Sequence, residues 1–124
     1  MFSKFKAKKI KVDDMVFDSK REYQRYLYLV DLEKQGKISN LQRQVKFEIL
    51  PKQRRERAVF YIADFVFVDS GVLVVEDVKS KITKKQPEYV IKRKLLKFYW
   101  INDLKKLKTK FEFDFNEAVF QEIE

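Results

Sequence analysis

The chain has 124 residues, with 28 Lys and Arg against 19 Asp and Glu, and it contains no cysteine and no histidine. A chain of this length forms one domain around one hydrophobic core. The missing residue types exclude disulfides, zinc fingers and any site that works through imidazole or thiolate. A bound metal would therefore need oxygen ligands, which favours hard ions such as Mg²⁺ or Mn²⁺.

The net charge of +9 predicts a polyanionic partner, most often nucleic acid. A well-solvated surface is the alternative explanation, because 38% of the residues are charged. No apolar run approaches the ~20 residues of a membrane span, and the N-terminus lacks the apolar stretch of a secretion signal. We therefore expect a cytoplasmic protein with no membrane partner.

Glycine is rare, and Gly36 and Gly71 lie far apart in the sequence. Two isolated glycines cannot build a glycine-rich nucleotide loop, so no nucleotide cofactor is expected. Residues 1–12 form a basic N-terminal arm, either a mobile phosphate-binding tail or a solubilising end. Ser19 and Glu22 then make a capping box, and apolar residues recur at helical spacing until Gly36, which predicts a helix over residues 19–35.

Three strands are predicted next. Val45, Phe47 and Ile49 alternate with polar residues, which indicates a half-buried strand that ends at Pro51. Apolar runs from Val59 to Val68 and from Val72 to Lys79 indicate two more strands, joined by a tight turn at residues 70 and 71.

The last third of the chain predicts a helix and a strand. Pro87 opens a second amphipathic helix, whose other face is crowded with lysine and arginine. Phe111, Phe113 and Phe115 alternate with polar residues and predict a late strand, after which residues 117–123 predict a terminal helical turn. The predicted order of elements is αβββαβ, and the whole chain is expected to form a single domain.

Acidic residues inside the apolar strands are the most informative feature. A two-residue turn at 70 and 71 places Asp64 directly opposite Asp77, and strict alternation places Asp64 on one face with Ile62 and Val66. Opposed carboxylates, with Cβ atoms about 5 Å apart, destabilise a sheet unless a positive charge lies between them. A divalent cation, with Lys79 as the adjacent fixed charge, would supply it.

A simpler explanation remains open for each of these acids. Asp64 could end a short strand and pair with lysine, and Glu76 with Asp77 could solvate an edge strand. In the predicted strand Asp77 and Lys79 share a face, whereas Glu76 points to the other side.

The sequence resembles the PD-(D/E)xK nuclease superfamily and, more narrowly, a small phage-encoded family related to Holliday-junction resolvases. A more distant likeness is to the nuclease subunit of some transposases. The resemblance rests on four blocks in order, which are Phe17-Asp18-Ser19-Lys20-x-Glu22, Ile38-Ser39-Asn40-Leu41 with Gln44, Tyr61-Ile62-Ala63-Asp64-Phe65 and Val75-Glu76-Asp77-Val78-Lys79-Ser80.

This resemblance implies a restriction-endonuclease-like α/β (α+β) fold, with an αβββαβ core and a central mixed sheet flanked by helices. It also implies a homodimer and Mg²⁺-dependent phosphodiester hydrolysis that leaves 5′-phosphate and 3′-hydroxyl ends, with Mn²⁺ as a substitute metal. Carried over to this chain, Asp64, Asp77 and the Val78 carbonyl are metal ligands, Lys79 is the catalytic lysine and Glu22 completes the site.

Some of these assignments have alternatives. A capping box explains Glu22 without catalysis, and Glu76 replaces Asp77 if the strand register slips. Gln44 and Ser80 are candidate neighbours of the site. Ala63 stands where the family motif has proline, and Asp77 takes a position more often filled by glutamate.

The basic residues around this site predict a DNA-binding surface. It comprises Lys52, Arg54, Arg55, Arg57, Lys81, Lys84, Lys85, Lys92, Arg93, Lys94 and Lys97. The sequence therefore predicts a metal-dependent, structure-selective DNA endonuclease that acts on branched DNA such as four-way junctions, in the host cytoplasm if phage-encoded. The alternatives are a site- or end-directed nuclease subunit of a recombination or packaging complex, and a non-catalytic basic DNA-binding protein.

Overall fold

A computed structural model describes residues 8–124, which form a mixed α+β fold. A two-stranded sheet precedes a four-stranded mixed sheet, and helices cover the larger sheet. No helix in this part of the chain is long and apolar enough to cross a membrane. The elements are β1 (Ile10–Val12), β2 (Met15–Phe17), α1 (Lys20–Lys34), β3 (Ser39–Leu50), β4 (Val59–Asp69), β5 (Val72–Val78), α2 (Lys81–Lys84), α3 (Pro87–Leu96), a π-helical turn (Lys97–Ile101), α4 (Leu104–Lys110) and β6 (Glu117–Ile123).

The large sheet has the strand order β3-β4-β5-β6. The first two pairings are antiparallel, and β6 returns parallel to β5 after the helical segment. Counting α1, the three antiparallel strands, α3 and β6 gives the predicted αβββαβ order with a mixed sheet. The predicted fold class is therefore confirmed, although two elements in the last third of the chain are placed differently.

Helix α1 begins and ends where the sequence predicts. The Ser19 hydroxyl oxygen accepts a hydrogen bond from the Glu22 amide at 3.1 Å, which satisfies one of the free amides of the first turn. Beyond its last turn Gly36 has φ +75°, and the Lys37 amide donates to the Leu32 carbonyl at 2.9 Å. Leu29 packs the helix onto one face of the sheet, with Ile38, Phe65, Phe67 and Val74.

The β4–β5 hairpin has the predicted tight turn. Ser70 and Gly71 both have positive φ, +52° and +80°, as a two-residue turn matched to the strand twist requires. Asp69 pairs with Val72, and the register runs without a break to Phe65 opposite Glu76. Continuing this register by one residue places position 64 opposite position 77, as the sequence predicts.

The other face of the sheet carries the larger core. It is covered by α3, the π-helical turn and α4, which contribute Leu96, Trp100 and Leu107. The indole nitrogen of Trp100 donates to the Glu48 carbonyl on the edge strand β3 at 2.7 Å, so the one polar atom of this buried ring is satisfied.

Two predictions in the last third of the chain are wrong. Phe111, Phe113 and Phe115 do not form a strand; their rings pack on one another and against the core, with Phe111 and Phe115 buried. The final strand is Glu117–Ile123, where a helical turn was expected, because this segment pairs in parallel with β5. Alternating phenylalanines indicate burial of one face but do not by themselves specify a sheet partner.

The N-terminal segment also differs from the prediction. The predicted basic arm covers residues 1–12, of which residues 1–7 lie outside the described residues. Ile10–Val12 instead pairs with Met15–Phe17 in a small hairpin whose turn includes Asp13 at φ +54°. The short helices α2 and α4 have too few residues to give a clear helical period, so the sequence did not predict them.

The aromatic cluster predicts a stability effect that a surface strand would not produce. We expect Phe111→Ala to lower the free energy of unfolding by about 3–5 kcal/mol, because it removes a buried ring. The neighbouring exposed change Glu112→Ala should alter it by no more than about 0.5 kcal/mol. Urea denaturation of both variants measures the difference, and similar small effects would contradict the packing.

Candidate metal centre

A cavity of about 870 Å³ opens between the start of α1, the middle of β4, the end of β5, and α2. Its lining residues include four acids and four bases, so charges of both signs border it. The lining residues are Lys9, Asp18, Ser19, Arg21, Glu22, Asp64, Val78, Lys79, Ser80, Lys81, Ile82, Thr83 and Glu124.

Three carboxylates converge in this cavity. One oxygen each of Asp18, Glu22 and Asp64 lies within 4.8 Å of the other two. Glu22 and Asp64 are almost fully buried, at 2% and 4% exposure, whereas Asp18 is exposed. Oxygen ligands at this spacing could hold a metal ion, and carboxylates are the donors that hard divalent cations prefer.

Asp18 was not identified from the sequence as a site residue. It stands four positions before Glu22, just outside the helix that Ser19 caps. The Ser19 cap therefore lies between these two acids at the start of α1. A second acid four residues ahead of Glu22 is the signal that could have identified it.

Asp64 is held by the neighbouring strand end. The Asp64 amide donates to Asp77 Oδ1 at 3.0 Å, and the Val78 amide donates to Asp64 Oδ2 at 2.8 Å. These two bonds follow the last ladder pair, Phe65 with Glu76. The end of the hairpin is thus closed by side-chain bonds to backbone, which fix the Asp64 carboxylate at the cavity wall.

Asp77 lies next to Asp64 but does not line the cavity. It is 1% exposed, and its Oδ2 accepts a hydrogen bond from the Tyr61 hydroxyl, which belongs to the core under α3. Burial, and then the Asp77 charge, raise the pKa of Tyr61, so the hydroxyl keeps its proton and remains a donor. The hairpin register predicts that Asp64 and Asp77 share one face of the sheet, but the structure does not bring their side chains together there. Asp64 lies with Glu22 of α1, whereas Asp77 lies with Tyr61.

Lys79 pairs with Asp77 and also lines the cavity. Its ammonium lies 3.7 Å from Asp77 Oδ2 and 5.4 Å from the centre of the Tyr89 ring. Its backbone amide donates to the Ile123 carbonyl at 2.8 Å, so β6 anchors the segment that follows β5. Val78 and Ser80 also line the cavity on either side of it.

Glu76 does not take the place of Asp77. It points to the opposite side of β5, as alternation predicts, and is completely buried. Arg25 of α1 donates two hydrogen bonds to the Glu76 carboxylate through Nε and Nη2, both at 2.7 Å. The Gln121 side-chain amide donates a third at 2.7 Å. This ion pair joins α1 to β5 and already balances the charge of Glu76.

The buried charge of Glu22 is offset by weaker hydrogen bonds than that of Glu76. Its Oε2 accepts from Arg43 Nη2 at 3.4 Å and from Gln44 Nε2 at 3.3 Å, both long for charge-assisted hydrogen bonds. Burial, and then the nearby Asp64 and Asp18 charges, raise the pKa of Glu22 to about 7. Burial, and then Asp64, likewise raise the pKa of Asp77 to about 8. Arg43 beside Glu22 and Lys79 beside Asp77 lower these pKa values only in part.

One predicted alternation fails at Asp64. Val66 packs in the same core cluster as Tyr61 and Ala63, so the pattern of β4 shifts by one residue between positions 63 and 66. The prediction that Asp64 shares a face with Val66 is therefore wrong. On β3, opposite this shift, Gln44 has φ +52° and its amide contacts both Glu22 and Asp64, so the predicted neighbour Gln44 does reach the site.

The predicted DNA-binding residues fall into separate places. Lys81 lines the cavity, whereas Lys84 pairs with Glu124, Arg93 pairs with Glu122 and Lys97 lies over Phe120. Lys85 and Lys94 are exposed, and Lys92 is half-buried. The four remaining residues, Lys52, Arg54, Arg55 and Arg57, are exposed in the β3–β4 turn.

That turn lies away from the cavity. Val59, at the start of β4, is five residues from Asp64, which corresponds to about 17 Å along a strand. Lys9 was predicted only as part of the N-terminal arm, either a phosphate-binding tail or a solubilising end, and Arg21 was not assigned to DNA binding, although both line the cavity. The signal of Arg21 is weak, because a basic residue on a charged helix in a chain of charge +9 is typical of solvated surface.

A protein-family model matches residues 2–113 of the chain. The chain belongs to the family DUF1064. The description of this family is a protein of unknown function. No curated protein and no solved structure matches this DUF1064 chain.

The raised pKa values predict how the stability of this DUF1064 protein depends on pH. Glu22 and Asp77 bind protons more tightly in the folded protein than in the unfolded chain. Their protonation therefore stabilises the folded protein fully below about pH 4, and this stabilisation is lost as the pH rises through about 7 and 8. In EDTA, we expect thermal unfolding temperatures to fall over this range, and added Mg²⁺ to restore more stability at pH 8 than at pH 5.5.

Asp64→Asn is the matched comparison, because the Asp64 charge contributes to both shifts. Its unfolding temperature in EDTA should fall less between pH 5 and pH 8 than that of the wild type. Parallel curves for the two proteins would contradict the proposed coupling of these acids.

Proposed function

We propose that this protein is a Mg²⁺-dependent, structure-selective DNA endonuclease. The observation that carries the proposal is the convergence of buried carboxylates from α1 and β4 in a cavity that Lys79 also lines. The strand-end sequence Asp77-Val78-Lys79 and the acids Glu22 and Asp64 are the residues through which the sequence resembles the PD-(D/E)xK nucleases.

The donor set fits a hard divalent cation. Glu22 and Asp64 would hold it, with the exposed Asp18 and the Val78 carbonyl as further oxygen donors along the cavity wall. Asp77 does not line the cavity and would act through its ion pair with Lys79. The fit rests on burial, since nearly inaccessible carboxylates a few ångströms apart are costly without positive charge between them. When bound, Mg²⁺ supplies Lewis-acid chemistry, which offsets phosphodiester charge and acidifies water.

The side chains of the chain have distinct tasks in the proposed hydrolysis. A water oxygen attacks phosphorus, the bond to the 3′ oxygen breaks and that oxygen takes up a proton, which leaves 5′-phosphate and 3′-hydroxyl ends. The Lys79 ammonium stabilises the negative charge that develops on the phosphate. Asp77 holds this ammonium at the cavity wall through the 3.7 Å ion pair.

Basic residues around the cavity would position the DNA backbone. Lys9 and Arg21 line the cavity on the α1 side, and Lys81 lines it on the α2 side. A DNA strand that lies across the acids would therefore contact cations on both sides of the cavity. Branched DNA as the substrate, and a homodimer with two sites for two symmetric cuts, follow from the resemblance to junction resolvases.

The test compares Asp64→Asn and Asp77→Asn with Asp69→Asn. Asp69 is an exposed residue at the other end of β4, so the control makes the same chemical change outside the cavity. Labelled four-way junction, flap and linear duplex are incubated with each protein in Mg²⁺ or EDTA. We expect the wild type and Asp69→Asn to cut the junction in Mg²⁺ alone, and both site variants to lose activity about 100-fold or more.

DNA binding in EDTA should be retained by all four proteins, because the phosphate contacts come from cationic side chains. Unchanged cleavage by Asp64→Asn would contradict the site assignment. Binding without cleavage in Mg²⁺ or Mn²⁺ would favour a non-catalytic DNA-binding protein. Equal cutting of linear duplex would remove the preference for branched DNA.

A further inference from the structure

Two consecutive residues of β3 reach the same oxygen atom of Glu22. Arg43 Nη2 lies 3.4 Å and Gln44 Nε2 lies 3.3 Å from Glu22 Oε2. Neighbouring side chains of a regular strand point to opposite faces of the sheet. The backbone of Gln44, with φ +52°, breaks this alternation and allows both side chains to face α1.

The partner strand is shifted at the same level. Arg43 pairs with Phe65 and Val45 with Ala63, so Gln44 lies opposite Asp64. Here β4 also changes its alternation, because Phe65 packs in the cluster under α1 whereas Ala63 belongs to the cluster on the other face. The matched irregularities bring Gln44 Nε2 to 3.5 Å from Asp64 Oδ1.

The Gln44 amide therefore stands between the two buried carboxylates of the cavity. A glutamine in the left-handed backbone region is strained, since residues other than glycine and asparagine rarely adopt this conformation. Such strain persists only where surrounding contacts impose it, and it concentrates at functional sites. Asn40 on the same strand, at φ +58°, is of a type that tolerates this conformation, whereas Gln44 is not.

We propose that Gln44 is a positioning residue that holds the Glu22 and Asp64 carboxylates at the separation one divalent cation requires. This inference rests on the proposed function and deepens it. A neutral amide can donate to two anions without adding a charge that would repel the incoming cation. Arg43 contacts the same Glu22 oxygen and stacks over the Phe17 ring at 4.0 Å.

The variant Gln44→Gly tests the role, because glycine accepts positive φ and removes only the side chain. Asn40→Gly is the matched control: it makes the same replacement at positive φ on the same strand, at an exposed residue that does not line the cavity. Binding of Mn²⁺ to the full chain without DNA is measured by electron paramagnetic resonance.

We expect Gln44→Gly to bind Mn²⁺ about 10-fold more weakly than the wild type, the usual effect of removing a group that orients a metal ligand, and Asn40→Gly to bind normally. Cleavage of the four-way junction by Gln44→Gly should approach the wild-type rate when Mg²⁺ is raised to saturation, because a positioning residue affects metal affinity more than turnover.

Wild-type Mn²⁺ affinity in Gln44→Gly, or equal losses in both variants, would overturn the inference. Cleavage that stays low at saturating Mg²⁺ would also overturn it, since Gln44 would then act on the reaction itself. If the wild type binds Mn²⁺ but cuts no DNA, the proposed function fails while the binding comparison still decides the role of Gln44.

Discussion

The burial of negative charge at the junction of α1, β4 and β5 is the constraint on which the rest of the structure depends. Glu22, Asp64, Glu76 and Asp77 are all at most 4% exposed, in a chain that is otherwise strongly basic. Each buried charge carries a desolvation cost of several kcal/mol unless hydrogen bonds or opposite charges offset it. The surrounding elements differ in how well they supply this compensation.

The compensation is complete at one end of the group and incomplete at the other. Arg25 and Gln121 satisfy Glu76, and this pairing serves as a joint between the helix and the sheet. Glu22 and Asp64 have only long contacts from Gln44 on the side where they approach each other. Glu22 and Asp64 lie beside an open cavity where a cation could bind, whereas the charge of Glu76 is already paired with Arg25.

The sequence predicts the parts of this arrangement that depend on local chemistry. Ser19 caps a helix and Gly71 supports a two-residue turn, and each acts through bonds within a few residues of itself. The turn alone then fixes the register that brings Asp64 opposite Asp77. The predicted helix α1 and the three antiparallel strands follow from the same local signals, and this part of the predicted order agrees with the structure.

The remaining features depend on contacts distant in the sequence. The positive φ of Gln44 coincides with the shift in β4 at Asp64, and neither strand shows this alone. The parallel pairing that makes residues 117–123 a strand, and the burial of Phe111 against the core, also require partners that local periodicity does not identify. Asp18 joins the site because the start of α1 lies beside Asp64 of β4, a contact distant in the sequence.

Anomalous diffraction from a crystal of the wild-type protein soaked in Mn²⁺ tests the central claim most directly. We expect an anomalous peak within coordination distance, about 2.2 Å, of carboxylate oxygens from both Glu22 and Asp64. A fully occupied Mn²⁺ elsewhere on the protein, with no peak between these two residues, would contradict a cation site there.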